Sequence, residues 1–384
     1  MLFTSESVTE GHPDKVADLI SDSILDACLR VDPGARVACE TLVKDGHVIL
    51  AGEITAGEPD ALDYDTVVRE AIRSVGYTDP DEDFNAEGVE VRSLLTPQAR
   101  EIEAAVGKGT TTELGAGDQG MMFGYATDET PELMPLPVLL AHRLARALAV
   151  ARRSGEVTVL RPDAKTQVTV RYQDGVPVAV TDVLVSTQHG PGALEEARRY
   201  IGDTLIPRVL GDWSNGDVRL TLNPSGAWTV GGPSADAGVT GRKTIVDTYG
   251  GMARHGGGAF SGKDATKVDR SGAYFTRWLA RRLVKEGYAR RAEIQVSYAI
   301  GQAEPVSVTV ETFGTGDAAA AEAFVREFDF RPRAIIERLD LGRPIYRSTT
   351  NYGHFGRAGL PWEDGLEVPE APAAVARDAT RVEV

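Results

Sequence analysis

One local pattern occurs three times in this chain at an even interval. Residues 36–43 (RVACETLV) and 48–55 (VILAGEIT) are rich in β-formers and flank Lys44-Asp45-Gly46-His47, which spells a hairpin. Residues 167–172 and 176–186 flank Gln173-Asp174-Gly175 in the same way, and 293–300 (EIQVSYAI) and 306–313 (VSVTVETF) flank a turn near Gly301–Pro305. The turn centres fall near 45, 174 and 303, about 129 residues apart, and a third of the 384 residues is 128. Length alone leaves two or three domains open; the interval selects three.

Helical patterns stand on both sides of each hairpin. Val16, Leu19, Ile20, Ile24 and Ala27 precede the first at helical spacing, with Pro13 suited to the first helical position and Asp14 to its positive pole. Leu139, Leu140, Arg143, Leu144 and Leu148 precede the second; Phe275, Trp278, Leu279 and Leu283 precede the third. Segments 61–75, 192–206 and 318–338 follow as helices. The fold class expected is α+β: three structurally similar domains in a pseudo-threefold arrangement, each a mixed β-sheet with helices on one face. The divisions expected are an N-terminal domain at 1–100, a mobile active-site loop at 98–117, a central domain at 118–229 and a C-terminal domain at 230–370. The Pro-, Ala- and Glu-rich tail after Pro361 is expected to fray, with 371–384 entirely so.

Charge narrows the function. With 41 basic and 57 acidic residues the net charge is −16, which repels phosphate polymers and anionic lipid. Nucleic acid and membrane are therefore not expected as partners. Residues 53–90 carry twelve acids against Arg69 and Arg73 and read as a solvated acidic face. Residues 242–270 run the other way, with Arg242, Lys243, Arg254, Lys263, Lys267 and Arg270 against three aspartates. Cys28 and Cys39 fit no zinc or disulfide framework and read as small core residues. The N-terminus has no secretory pattern and no run of about 18 apolar residues exists, so a cytoplasmic location is expected.

Several motifs carry chemistry. Residues 250–262 (GGMARHGGGAFSG) hold six glycines, a density no helix or strand tolerates, so backbone must turn tightly or approach something closely. Gly257 to Lys263 matches G-x-x-x-x-G-K, but Asp264 stands where a phosphate loop needs Ser or Thr, and no strand pattern precedes it. A glycine-rich backbone beside Lys263, Lys267 and Arg270 still suits a polyphosphate; the alternative is a basic solvated loop. His12 and Asp14 sit at a helix start, where His12 suits a phosphate oxygen and Asp14 suits Mg²⁺, or where they are a surface histidine and an ordinary first-turn acid. Asp163-Ala164-Lys165 follows a short expected strand at 157–160 and offers a lysine at a strand end. Asp236, between Gly231-Gly232-Pro233 and Gly241-Arg242-Lys243, suits an ammonium or a ribose hydroxyl. Glu40 and Glu53 lie on the two strands of the first hairpin among apolar neighbours, as ligands for a cation or amine or as edge positions facing water.

Taken together, GHPDKVADLISDSILDA, GAGDQGMMFGYATDET, LRPDAKTQVTV, STQH, GGPSADAGVTGRKTIVDTYGGMARHGGGAFSGKDATKVDRS, SYAIGQAEPVSVTVETFGTG and NYGHFGR resemble the bacterial S-adenosylmethionine synthetase (methionine adenosyltransferase) family, from about residue 2 to about residue 363. The resemblance implies formation of S-adenosylmethionine, phosphate and diphosphate from ATP, L-methionine and water, by attack of the methionine sulfur on C5′ of ATP and hydrolysis of the bound triphosphate. It implies that His12 stabilises the leaving group together with Lys165, Arg242 and Lys263, and that ATP also meets Asp163, Trp228, Asp236, Lys243 and Ala259. Methionine would meet Glu53, Gln98, Asp236 and Lys267. Asp14 and Asp269 would hold Mg²⁺, two ions per site, Glu40 would sit beside K⁺, and Asp118 is a further site position. The family forms homodimers with active sites between subunits, usually as dimers of dimers. The chain departs from the family pattern at Asn223-Pro224-Ser225-Gly226-Ala227-Trp228, where an Arg-Phe pair is common and Trp228 takes the adenine-stacking place. It departs again at Ala99-Arg100-Glu101-Ile102, just after Gln98. A different phosphotransferase or NTPase using the same basic loop would leave ADP, and a non-catalytic nucleotide-binding subunit would be expected to have lost His12, Asp14, Lys165 or Lys263.

Overall fold

The computed structural model describes residues 1–57, 62–97, 114–214 and 217–364. In chain order the strands are β1 (Leu2–Val8), β2 (Arg36–Lys44), β3 (His47–Thr55), β4 (Glu90–Thr96), β5 (Gly120–Thr127), β6 (Leu160–Gln173), β7 (Val176–His189), β8 (Arg219–Leu222), β9 (Gly238–Val239), β10 (Arg291–Tyr298) and β11 (Ser307–Glu311). The helices are α1 (Pro13–Val31), α2 (Tyr64–Val75), α3 (Leu136–Ser154), α4 (Leu194–Tyr200), α5 (Ile206–Leu210), α6 (Thr244–Asp247), α7 (Val268–Lys285), α8 (Ala318–Val325) and α9 (Pro332–Leu339). The expected hairpins are β2–β3, β6–β7 and β10–β11, each antiparallel. Asp174 (φ 52°) and Gly175 (φ 78°) both occupy the left-handed region that a two-residue turn between twisted strands requires.

The sheet order shows how the three units interlock. The sheets run β1-β6-β7-β8, β11-β10-β5 and β4-β3-β2-β9. β1 thus joins the sheet of the middle hairpin, β5 that of the last, and β9 that of the first. Each of the three sheets thus takes an edge strand from a distant part of the chain. The apolar interior follows suit. One continuous core joins α1, α2 and their sheet to α7, β10 and the segment around Trp362, whereas α3, β6, β7 and α5 enclose a second.

Several local expectations need correction. No strand forms at 157–159; β6 begins at Leu160, so Asp163 and Lys165 lie inside a long strand whose register shifts between Leu160 and Ala164. Pro162 falls in that irregular stretch, where its missing N–H costs the ladder nothing. The helix expected at 318–338 is two, α8 and α9, because Pro332 cannot continue a helix and instead starts the next. The segment after α4 runs on through a π-turn at Ile201–Leu205 to Leu210. Arg143 leaves the apolar face of α3 to pair with Glu132. The chain does not fray directly after Pro361: Trp362 is wholly buried and stacks on Tyr274 at 3.6 Å, and Glu363 is buried beside it. The expected tail at 371–384 lies outside the described residues. Cys28 and Cys39 are buried, and burial pushes their thiols up to about 11 and about 12. Among the described residues no helix is long and apolar enough to cross a membrane.

His142 on α3 is buried, with Nδ1 2.8 Å from Ser7 Oγ. Burial, reinforced by the Arg357 and Lys15 charges, lowers it to about 3. The unfolded chain therefore takes up a proton near pH 6.5 that the folded chain refuses. Stability falls as pH drops from 6.5 toward 3, approaching about 1.4 kcal/mol per pH unit for this group. His142→Gln should flatten the slope of unfolding free energy, from urea titrations, against pH in that window by this amount; an unchanged slope would show that His142 titrates normally when folded.

Candidate active site

Most of the candidate residues stand on two loops, one helix terminus and strand β6. His12 caps α1 with extended backbone, and its Nδ1 accepts the Asp14 N–H at 3.1 Å. That bond leaves Nε2 to carry the hydrogen in the neutral ring. Burial, with the Lys243 charge next and Lys165 and Lys15 adding to it against the opposing Asp14, lowers His12 to about 3. His12 is thus a neutral donor at a helix N-terminus, where anions are favoured.

Asp14 is buried too, yet ionised. Burial would raise its carboxyl, but the Lys243 hydrogen bond and the Val239 amide hold it below the usual range. Lys243 Nζ donates to Oδ2 at 2.6 Å, Val239 N to Oδ1 at 3.0 Å, and Arg242 approaches to 3.8 Å. The Arg242 side chain is 55 % exposed and directs its charge outward. On β6, Lys165 is exposed and makes no salt bridge among the described residues. Asp163, two residues earlier, is buried: Oδ2 accepts the Gly232 N–H at 2.8 Å and Oδ1 has no partner among the described residues. Burial pushes this carboxyl up to about 7 against the Gly232 bond, with Asp236 adding to the rise. Asp236 is itself exposed, its Oδ1 on the Ala237 amide. Trp228 is half-buried; its indole N–H is bonded to Val230 O at 2.7 Å and its backbone N–H to His189 Nε2 at 3.2 Å.

The glycine-rich segment contains neither helix nor strand through Gly262, as its composition requires. At Gly262 (φ +80°) a Cβ would lie 1.9 Å from Cys39 O, and at Gly258 2.2 Å from Asp269 Oδ1. Only glycine lets the backbone press against β2 and Asp269 in this way. Lys263 forms a bridge to Ala38 of β2, and its Nζ donates to Asp269 Oδ2 at 2.6 Å. Lys267 caps α7 and donates to Asp264 at 2.5 Å. No phosphate-loop strand precedes these residues, and Asp264 is committed to the Val37 amide and to Lys267. Ala259 meets the other loop, since a Cβ on Gly241 would be 2.4 Å from the Ala259 Cβ.

The remaining sequence-derived candidates divide. Asp118 is exposed beside Gly117, which packs on Thr266 and Lys267. Glu40 and Glu53 are exposed, not at a sheet edge but on the outer face of interior strands; Glu40 pairs with Ala51 and Glu53 with Ala38, the residue that bridges Lys263. Gln98 and positions 99–112 lie outside the described residues. Sequence reasoning missed Asp18, Asp22 and Asp247, which are buried behind the site. For Asp18 and Asp22 the signal is the spacing of four from Asp14 along α1; Asp247 lies on α6 and has no such signal. Among the described residues no three His, Cys, Asp or Glu side chains converge as a metal cage.

A neutral histidine, four outward or loop-held cations and backbone turned tightly at glycines have the chemistry that suits a small polyanion. Comparison with known proteins makes this specific. Domain profiles of S-adenosylmethionine synthetase match residues 1–100 (N-terminal domain), 113–228 (central domain) and 230–364 (C-terminal domain). The S-adenosylmethionine synthase of Sorangium cellulosum (strain So ce56) is 54 % identical over 371 residues, 94 % of this chain and 87 % of that protein. That of Desulfosudis oleivorans (strain DSM 6200 / JCM 39069 / Hxd3) is 52 % identical over 378 residues, 96 % and 97 % of the two chains. The chain belongs to the S-adenosylmethionine synthetase family.

Proposed function

We propose that this chain joins ATP to L-methionine: the thioether sulfur attacks C5′, S-adenosylmethionine forms, and the displaced triphosphate is hydrolysed to phosphate and diphosphate. The observation that carries the reading is a cluster at one helix start: buried His12 caps α1 with Nδ1 on the Asp14 N–H, which leaves Nε2–H free to donate, and Asp14 in turn holds Lys243 at 2.6 Å and meets Arg242 at 3.8 Å. Thioether sulfur is already nucleophilic, so no activated Ser or Cys is needed. The barrier lies in the charge of the leaving triphosphate, and fixed donors in place before reaction lower it without reorganisation. His12 Nε2–H serves the departing oxygen; Lys165, Arg242, Lys243 and Lys263 serve the phosphates. Trp228, held by His189 and Val230, offers an adenine platform. Asp163, Asp236 and the Ala259 backbone complete the nucleoside contacts, and Glu53, Gln98, Asp236 and Lys267 those to methionine, with Asp118 alongside.

Asp14 and Asp269 fit Mg²⁺. Both are oxygen donors, Asp14 is held ionised, and Mg²⁺ usually takes one or two carboxylates and fills its shell with phosphate and water. When bound, Mg²⁺ supplies neutralisation of phosphate charge. In the chain alone, Lys243 and Lys263 occupy these carboxylates, so binding of a magnesium polyphosphate would exchange partners within ion pairs already in place. Glu40 would stand beside K⁺. The proposed assembly is a homodimer that shares its sites between subunits, further paired into a tetramer, in the cytoplasm, as the family resemblance implies.

Mass spectrometry of purified protein with ATP, methionine, Mg²⁺ and K⁺ tests the reading. Sulfonium product with phosphate and diphosphate is expected; ADP would make it a different phosphotransferase.

A further inference from the structure

Helix α1 carries four aspartates at intervals of four: Asp14, Asp18, Asp22 and Asp26. Like charges at this spacing destabilise an isolated helix, and burying a carboxylate costs more than burying an apolar side chain of its size. All four are nonetheless buried, at 2, 0, 0 and 2 % exposure. Each is turned on backbone N–H groups more than 200 residues further along the chain: Asp14 on Val239 (3.0 Å), Asp18 on Gly241 (2.8 Å), Asp22 on Gly262 (2.8 Å), and Asp26 on Tyr346 and Arg347 (both 3.0 Å).

The middle two share a further feature. Gly241 immediately precedes Arg242, and Gly262 immediately precedes Lys263. Both glycines adopt φ +80°, so in each loop the chain turns at the gripped amide and presents the next side chain. The grip is reinforced by charge. Lys15 donates to Asp18 at 2.8 Å and to Asp247 at 2.6 Å, tying both ends of the Gly241–Asp247 segment to α1. Arg270 clasps Asp22 with two nitrogens at 2.7 and 2.8 Å and donates to the Lys263 carbonyl at 3.1 Å. With 1.5 Å of rise per residue, α1 sets the two carboxylates about 6 Å apart along its axis.

We infer that Asp18 and Asp22 are positioning residues, which use α1 as a rigid ruler to fix Arg242 and Lys263 relative to His12. This rests on the function proposed above. Neither aspartate touches substrate; each acts through the amide before a cation. A helix that merely needed anchoring would be held at lower cost by apolar side chains.

The test uses the full chain and its substrates. Asp18→Ala removes the grip and leaves Lys15 paired with Asp247, whereas Asp18→Asn keeps an oxygen for the Gly241 amide. Asp26→Ala, at the far end of the ruler, loses a buried carboxylate that holds the Tyr346 and Arg347 amides and grips neither the Gly241 nor the Gly262 amide. Asp18→Ala should lower kcat about a hundredfold with KM for methionine within about twofold, Asp18→Asn should restore most of it, and Asp26→Ala should keep kcat within about twofold while lowering Tm. Asp22→Ala should follow Asp18→Ala where it folds; if it does not fold, the Asp18 pair decides. The inference is overturned if Asp18→Ala turns over within about threefold of the parent, if Asp18→Asn is as impaired as Asp18→Ala, or if Asp26→Ala loses as much kcat. A parent that forms no sulfonium product overturns the functional reading itself, which an active parent with an active Asp18→Ala does not.

Discussion

Lys263→Ala protein should fold normally and yet form sulfonium product at least about a hundred- to a thousandfold more slowly, the cost of removing one preorganised donor from a developing anion. The expectation follows from where Lys263 stands. It leaves a loop pinned by Gly262 against β2, and its ammonium, 26 % exposed, is aimed by Asp269 at 2.6 Å. A part-exposed ion pair of this kind contributes about 0–1 kcal/mol to stability, so Tm should move by no more than a few degrees. Asp269→Asn should lose turnover as well, because Lys263 loses its guide and Mg²⁺ a proposed ligand. Circular dichroism melting and product assays on both variants check the two halves separately. Near-normal turnover in both would remove this loop from the active site.

Glu363→Ala should produce the opposite separation. Glu363 accepts Arg277 Nε at 2.8 Å, Arg277 Nη2 at 3.1 Å and the Gly356 amide at 2.9 Å, and Arg281 Nε lies 2.9 Å away. Arg277 is wholly buried and also donates to the carbonyls of Tyr125, Glu132 and Leu133. Deleting the carboxylate leaves two buried guanidinium groups without their counter-charge, and breaking such a pair costs about 3–5 kcal/mol. The urea midpoint should fall accordingly, while kcat measured below the new Tm stays close to the parent value because no site residue is touched. A loss under about 1 kcal/mol would mean that the segment after Leu360 is dispensable to the core.

Glu363 also marks a limit of sequence reading. Pro361 and the Ala- and Glu-rich stretch beyond it read as a tail, because composition averages over neighbours and hides one Trp-Glu pair with distant partners. The helix expected at 318–338 failed for the opposite reason: Pro332 stood in plain view, and a long apolar period outweighed a single residue. Where the signal is local and repeated, as in the Asp174-Gly175 turn, the period of α1 or the glycine density of 250–262, residue type alone sufficed.

The candidate site divides along the same line. The basic concentration at 242–270 and the helix-start His12-Pro13-Asp14 are legible because they lie in short contiguous stretches. The protonation states are not. His12 is neutral because the fold buries it, with the charges of Lys243 and Lys165, more than 150 residues away in sequence, adding to that effect. The four-residue spacing of aspartates is equally visible in the sequence, but their partners, the amides of Gly241 and Gly262, are identified only by the fold.

The sequence by itself determined the α+β composition, the three hairpins at one interval and the family, since each is written in neighbouring residues or in linear motifs. The tertiary structure decided that β1, β5 and β9 cross to one another's sheets. It also decided that the first and last thirds share a core and that one buried helix grips both cationic loops. Strand edges, burial and charge act through space, and residues more than 200 positions apart meet only when the chain has closed on itself.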